Sequence, residues 1–259
     1  MEHGLGIASS ESTASRLAAE HRPGAIAARL AEPARPSYLR DMVYGAIDGT
    51  VTTYAVVAGV AGGGFDAPVV LVLGTANLVA DGFSMAVANY LGIHSEERRR
   101  RRIRREEERH IELFPAGERE EVRQLLARDG LTGELLDAAA DAVTSDRRRW
   151  VEVMMAREHG FAAVRPDPLR AAVATFLAFA VVGLLPLLAF IVDAFPGVTV
   201  ASPFAWSTAL AALAFIGVGA AEGVVVDEPS ARSAARTLAV GGSAAALAYA
   251  VGVVLGKLV

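Results

Sequence analysis

Charged residues are segregated along this chain, and that segregation limits the fold more than any single motif does. Between positions 93 and 169 stand 16 of the 25 Lys and Arg residues and 17 of the 29 Asp and Glu residues. On either side run long stretches almost free of charge. A soluble domain spreads charge over its whole surface, so this order points to an integral membrane protein carrying one highly charged insert. The mean hydropathy of +0.37 agrees. The net charge of −4 is small and both signs are interspersed, which argues against nucleic acid as a partner. With no cysteine, disulfides, zinc–thiolate sites, iron–sulfur clusters and cysteine nucleophiles are excluded.

The expected fold class is all-α: five transmembrane helices with a three-helix cytoplasmic insert between spans two and three. The apolar segments run from about Met42 to Gly64, Ala67 to Leu91, Leu169 to Val192, Pro203 to Val226 and Ala235 to Leu255. Each is long enough for a hydrocarbon core of roughly 30 Å. Residues 1–36, rich in Ala, Arg, Ser and Glu, lack the apolar block of a signal peptide and form an expected disordered or loosely helical lead-in. The domain plan is therefore 1–36 lead-in, 37–92 spans one and two, 93–168 insert, and 169–259 spans three to five.

Orientation follows from the basic residues. Arg35 and Arg40 precede span one, Arg98 to Arg105 follow span two, Arg165 and Arg170 precede span three, and Arg232 and Arg236 separate spans four and five. The other connections hold no Lys or Arg, and only Lys257 falls on the far side. The positive-inside rule then puts the N-terminus and the insert in the cytoplasm and the C-terminus outside. The run Arg98–Arg105 is expected at the headgroups of anionic lipid in the bilayer. Within the insert, one helix continues from span two to about Leu113 and stops near Pro115. A second covers about Gly117 to Arg128, and a third runs from about Glu134 to Phe161 with apolar residues at helical spacing.

Two acids lie inside apolar spans. Asp48 and Asp81 would each cost about 2.5–3.5 kcal/mol on insertion scales unless they face a partner or a water-filled path. Asn77, Asp81 and Met85 recur every four residues and share a helix face; Asp41 and Asp48, seven apart, share another. Gly45 and Gly49 form a small-xxx-small pair beside Asp48 that permits close helix approach. Oxygen donors with one thioether suit divalent transition metals. Glu222, near the end of span four, is a weaker candidate.

The insert carries a second donor set. Glu107 and His110 are three apart on its first helix, and Glu118 and Glu121 are three apart on its second, with Pro115 and Gly117 marking the turn. The third helix adds Met154, Met155 and Glu158. Carboxylates, an imidazole and thioethers fit Fe²⁺ or Mn²⁺. Against this stands the simpler reading that charged helices contain Glu-x-x-Glu pairs engaged by Arg one turn away. His159, adjacent to Glu158, points elsewhere on the helix and is expected to be a spectator.

The runs RDMVYGAIDGTVTTYAVVAGVAGG, LGTANLVADGFSMAVANYLG and WVEVMMAREHG, with the Glu107–Glu121 hairpin, resemble the vacuolar iron transporter family from about Tyr38 to Val259. The resemblance implies a homodimer of five-helix protomers, joined through transmembrane helices 1 and 2, that moves Fe²⁺ or Mn²⁺ out of the cytoplasm in exchange for protons. It implies no enzymatic activity and no prosthetic group. Asp48 and Met85 match the family's membrane path and Asp41 its cytoplasmic entrance. Glu107, Glu118, Glu121, Met154, Met155 and Glu158 match its cytoplasmic ligands. His110 and Asn77 depart, each standing where the eukaryotic transporters carry Glu. The near-exclusive use of Arg and the lack of an organelle signal lead to a bacterial plasma membrane as the expected location. Two alternatives from other classes are a membrane-anchored di-iron carboxylate ferroxidase, for which Glu107-x-x-His110 is half the required signature, and a metal sensor that does not transport.

Overall fold

A computed structural model describes residues 15–32, 35–162 and 164–258. Of the lead-in, residues 1–14 and 33–34 lie outside the described residues. The chain divides into two units, up to Pro36 and from Ser37 to Val259. In the first, Pro23–Ala31 forms a helix, α1, that opens on a proline and buries no residue.

The second unit is helical, with no strand among its described residues. Its elements are α2 (Leu39–Gly62), α3 (Ala67–Leu113), α4 (Pro115–Arg128), α5 (Gly133–Thr144), α6 (Arg147–Arg157), α7 (Pro168–Gly183), α8 (Leu188–Asp193), α9 (Pro203–Val225) and α10 (Ser230–Leu255). Among the described residues, four segments are long and apolar enough to cross a membrane: α3, the unit Pro168–Asp193, α9 and α10. The 24 residues of α2 have the length, but Asp48, Thr50, Thr52 and Thr53 lower its apolar character. Position compensates for composition. α2 packs against α3, α7, α9 and α10, so its polar residues are largely enclosed by protein; Thr50 and Thr53 are fully buried.

Close backbone approach holds this arrangement. A Cβ at Gly45 would collide with the Thr175 carbonyl oxygen, and one at Gly49 with that of Phe179. The small-xxx-small pair therefore seats α7 against α2, gaining dispersion contacts that larger side chains would block.

The longest helix, α3, is unbroken for 47 residues. At ~1.5 Å per residue it reaches about 70 Å, over twice the hydrocarbon thickness. Its charged half must project beyond the apolar layer. There it packs with α4, α5 and α6 around Ile103, Ile111, Val122, Trp150, Val151 and Phe161. Exposed pairs such as Arg119–Asp141 (2.7 Å) and Arg123–Asp137 (2.8 Å) tie α4 to α5.

Two segments differ from the sequence reading. The insert's expected third helix is two helices, α5 and α6, so α3's end is joined by three further helices instead of two. The break falls at Thr144–Ser145–Asp146, where hydroxyls bond back to main-chain carbonyls and Asp146 Oδ1 accepts the Arg149 amide hydrogen at 2.7 Å. Such side chains compete with helix continuation and start a new helix by capping it. Span three is interrupted as well. α7 ends at Gly183, a 3₁₀ turn covers Leu185–Leu187, and α8 follows. Pro186 cannot donate a helical hydrogen bond, and its carbonyl accepts one from Ser207 Oγ at 2.6 Å.

Candidate functional site

The short turn after Gly62 makes α2 and α3 antiparallel neighbours. Along α3, Asn77, Asp81, Met85 and Asn89 form a half-buried stripe beside the buried row Gly74, Leu78, Gly82 and Ala86. Half-buried Asp48 on α2 lies within electrostatic reach of Asp81. Asp41 accepts a 2.9 Å hydrogen bond from Asn89 Nδ2, which also donates to Thr175 Oγ1 at 2.8 Å. The contacts step seven residues along α2 and eight along α3, as antiparallel helices require. Asn77 Nδ2 is buried with no acceptor among the described residues. The sequence reading missed Asn89, although it is the next member of the four-residue series Asn77, Asp81, Met85.

Glu222 is engaged otherwise. Its carboxylate pairs with Arg236 at 3.0 Å and accepts from Ser233 Oγ at 3.0 Å and Thr237 Oγ1 at 3.3 Å. Those bonds fasten α9 to α10, and every partner comes from α10.

In the insert the acids sort into two populations. Glu96, Glu97, Glu106 and Glu108 on α3 pair with Arg99, Arg101, Arg102 and Arg104 one turn away, as charged helices ordinarily do. Glu107 faces inward and is only 4% exposed, and Glu118 on α4 only 6%. Each keeps a buried carboxylate oxygen, Oε2, without a hydrogen-bond partner among the described residues. A buried carboxylate with an unmet oxygen is costly to leave so. The hairpin at Phe114–Pro115 sets His110 Nδ1 3.5 Å from Glu118 Oε1.

His159 points toward these acids, not away from them. α6 ends at Arg157, Glu158 caps it, and Gly160 takes a left-handed conformation (φ 69°). The chain turns back, and His159 Nε2 lies 3.0 Å from Glu107 Oε1 and 3.8 Å from Glu158 Oε2. Glu107, Glu158 and His159 thus place one donor atom each within 4.8 Å of the others. The expectation failed because it extended the helix past Arg157, which turns position 159 by about 100° from Glu158.

Charge is concentrated here. Burial, followed by the neighbouring charges of Glu121 and Glu107, pushes the Glu118 carboxyl up to about 7, with His110 opposing the rise. Partial burial, followed by the Glu107 charge, raises the Glu158 carboxyl. Glu121 itself is exposed, one turn along α4. Met154 and Met155 are completely buried in the apolar core of the insert with Val122 and Val151. A cation placed among these acids would relieve both the burial cost and the mutual repulsion.

These features define a helical integral membrane protein with carboxylates both within and beyond its apolar helices. A model of the VIT family matches residues 39–253, and the chain belongs to that family. A vacuolar iron transporter from Toxoplasma gondii is 30% identical over 224 residues, covering 84% of this chain and 74% of its own. Vacuolar iron transporter 1 of Eucalyptus grandis is 30% identical over 214 residues, 82% of this chain and 84% of that one. The protein of the same name from Arabidopsis thaliana is 29% identical over 214 residues, 82% and 83% respectively.

Proposed function

We propose that this protein is a secondary transporter that exports Fe²⁺ or Mn²⁺ from the cytoplasm in exchange for protons. The observation that carries the proposal is the continuity of α3. One unbroken helix bears Asp81, within electrostatic reach of Asp48, in its apolar half and Glu107 in its charged half. The names of the relatives, vacuolar iron transporters, support the choice of ion.

In this reading five segments cross the membrane: α2, α3, α7 with α8, α9 and α10. The basic residues put the insert and the N-terminus inside and the C-terminus outside, in a bacterial plasma membrane. Two copies associate through α2 and α3. Asp41 admits the ion, and Asp48, Asn77, Asp81 and Met85 pass it along. Glu107, His110, Glu118, Glu121 and Glu158 collect it from the cytoplasm, with Met154 and Met155 as soft donors beneath them. Asp81, within electrostatic reach of Asp48, supplies the second acid that Asn77 does not.

Purified protein in liposomes tests this directly. A gradient of Fe²⁺ or Mn²⁺ is expected to drive metal flux with counterflow of protons, and Asp48→Asn is expected to abolish the flux while the variant still folds and inserts. Unchanged flux in that variant would falsify the path.

A further inference from the structure

We infer that His159 is a metal ligand of the insert and that, together with His110, it biases the site toward Fe²⁺, Co²⁺ and Zn²⁺ over Mn²⁺. The inference rests on the reading of the insert as a metal-collecting domain and adds the residue that sets its preference.

Geometry places His159 at the centre of the donor group. Its Nε2 is the atom that approaches both carboxylates, 3.0 Å from Glu107 and 3.8 Å from Glu158. Ligand atoms bound at about 2.0–2.2 Å to one ion lie roughly 3.0–3.5 Å apart in octahedral or tetrahedral arrangement. The three donors therefore need only small side-chain shifts to share an ion. A hydrogen bond from His159 satisfies Oε1 of Glu107 and leaves its buried Oε2 unmet. An ion bound to both carboxylates and the imidazole would meet that need.

The backbone that carries His159 is also held in place. Arg100 Nη1 donates to the Ala162 carbonyl at 2.5 Å. The guanidinium groups of Arg99 and Arg100 lie 5.1 Å and 5.6 Å from the centroid of the Phe161 ring. Both arginines belong to α3, the helix of Glu107. One element thus fixes the carboxylate and, through Phe161 and Ala162, the segment that presents the imidazole to it.

Selectivity follows from donor chemistry. Carboxylate oxygens alone bind Mn²⁺ and Mg²⁺ well, whereas imidazole nitrogen favours the later first-row ions. His110 faces Glu118 and His159 faces Glu107, so two imidazoles stand among four carboxylates, and the preference shifts along the series from Mn²⁺ toward Zn²⁺.

The test titrates full-length protein in detergent, at fixed pH, with Co²⁺ and separately with Mn²⁺. The variant is His159→Gln, which keeps a donor toward Glu107 and loses the imidazole lone pair; Glu107→Gln assigns binding to the insert. Wild-type protein is expected to hold Co²⁺ about tenfold or more tighter than Mn²⁺. In His159→Gln, Co²⁺ affinity is expected to fall about tenfold while Mn²⁺ affinity changes less than about threefold. The visible absorption of bound Co²⁺ is expected to shift as a nitrogen donor is lost. Equal losses for both ions, or an unaltered Co²⁺ spectrum, would overturn the role of His159 and leave the metal-collecting insert standing. Failure of wild-type protein to bind either ion in a manner sensitive to Glu107→Gln would overturn both.

Discussion

Replacing Glu118 by Gln is expected to stabilise the metal-free protein at pH 8 and to leave it unchanged at pH 4. The native carboxyl titrates near 7 against an ordinary 4.5. Between those values the native state holds a proton that the unfolded chain releases. The unfolded state therefore binds fewer protons, and stability falls as pH rises from about 4.5 to about 7, then levels off. At ~1.4 kcal/mol per pH unit the interval corresponds to roughly 3–4 kcal/mol. Solvent around exposed Glu121 and Glu158 screens part of the repulsion, so about 1–3 kcal/mol is the expected gain for Glu118→Gln at pH 8. The chain has two tryptophans. Trp150 lies in the insert core and Trp206 is exposed on α9. In a Trp206→Phe background, Trp150 emission during denaturant unfolding reports the insert, with chelator present. A divalent ion at about 100 times its dissociation constant adds roughly 2.7 kcal/mol to the wild type, and less to the variant. If wild type and variant track each other from pH 4 to pH 8, the carboxylates do not converge on one buried charge and the donor cluster is misassigned.

Met154 is fully buried, so Met154→Ala is expected to cost about 2–5 kcal/mol in the same unfolding assay through lost transfer energy and a cavity. Gly49 has no room for a side chain against Phe179. Gly49→Ala is expected to separate α2 from α7 and to lower the yield of monodisperse protein in detergent, whereas Gly217→Ala, where an added Cβ meets nothing within 4 Å, is expected to leave that yield unchanged.

The long elements were legible in the sequence because hydropathy and charge report burial directly. α3 was readable to its last residue, since the apolar run passes into a charged run with no breaker until Pro115. What escaped is decided by a few local bonds. Thr144, Ser145 and Asp146 are tolerable inside a helix, and only their main-chain bonds show that the helix stops there. The expected helix ran through Gly160, whose left-handed conformation, with the early end of α6 at Arg157, decides where His159 points. Asn89 was hidden for another reason. Its partners Asp41 and Thr175 lie 48 and 86 residues away, so only the fold brings them to it. The Arg-paired and the inward-facing glutamates of the insert look alike in sequence, and only packing separates Glu107 from Glu106 and Glu108.

A relation along α3 links the two donor sets. Eighteen residues make five whole turns of a straight α-helix, so Glu107 projects from the same side of α3 as Asn89, the partner of Asp41. The distance between them along the axis is about 27 Å. That is about twice the span of two carboxylate side chains joined through one ion, so an ion cannot pass from Glu107 to Asp41 while held by both. Within the proposed function the insert therefore works by supply, raising the concentration of metal directly above the entrance. The exposed carboxylates Glu121 and Glu158 suit that task, because ions leave partly solvated ligands faster than closed cages. The ring of arginines between the two sites, Arg98 to Arg105, opposes free diffusion of cations along the rest of the helix surface, and its pairing with Glu96, Glu97, Glu106 and Glu108 reduces that barrier.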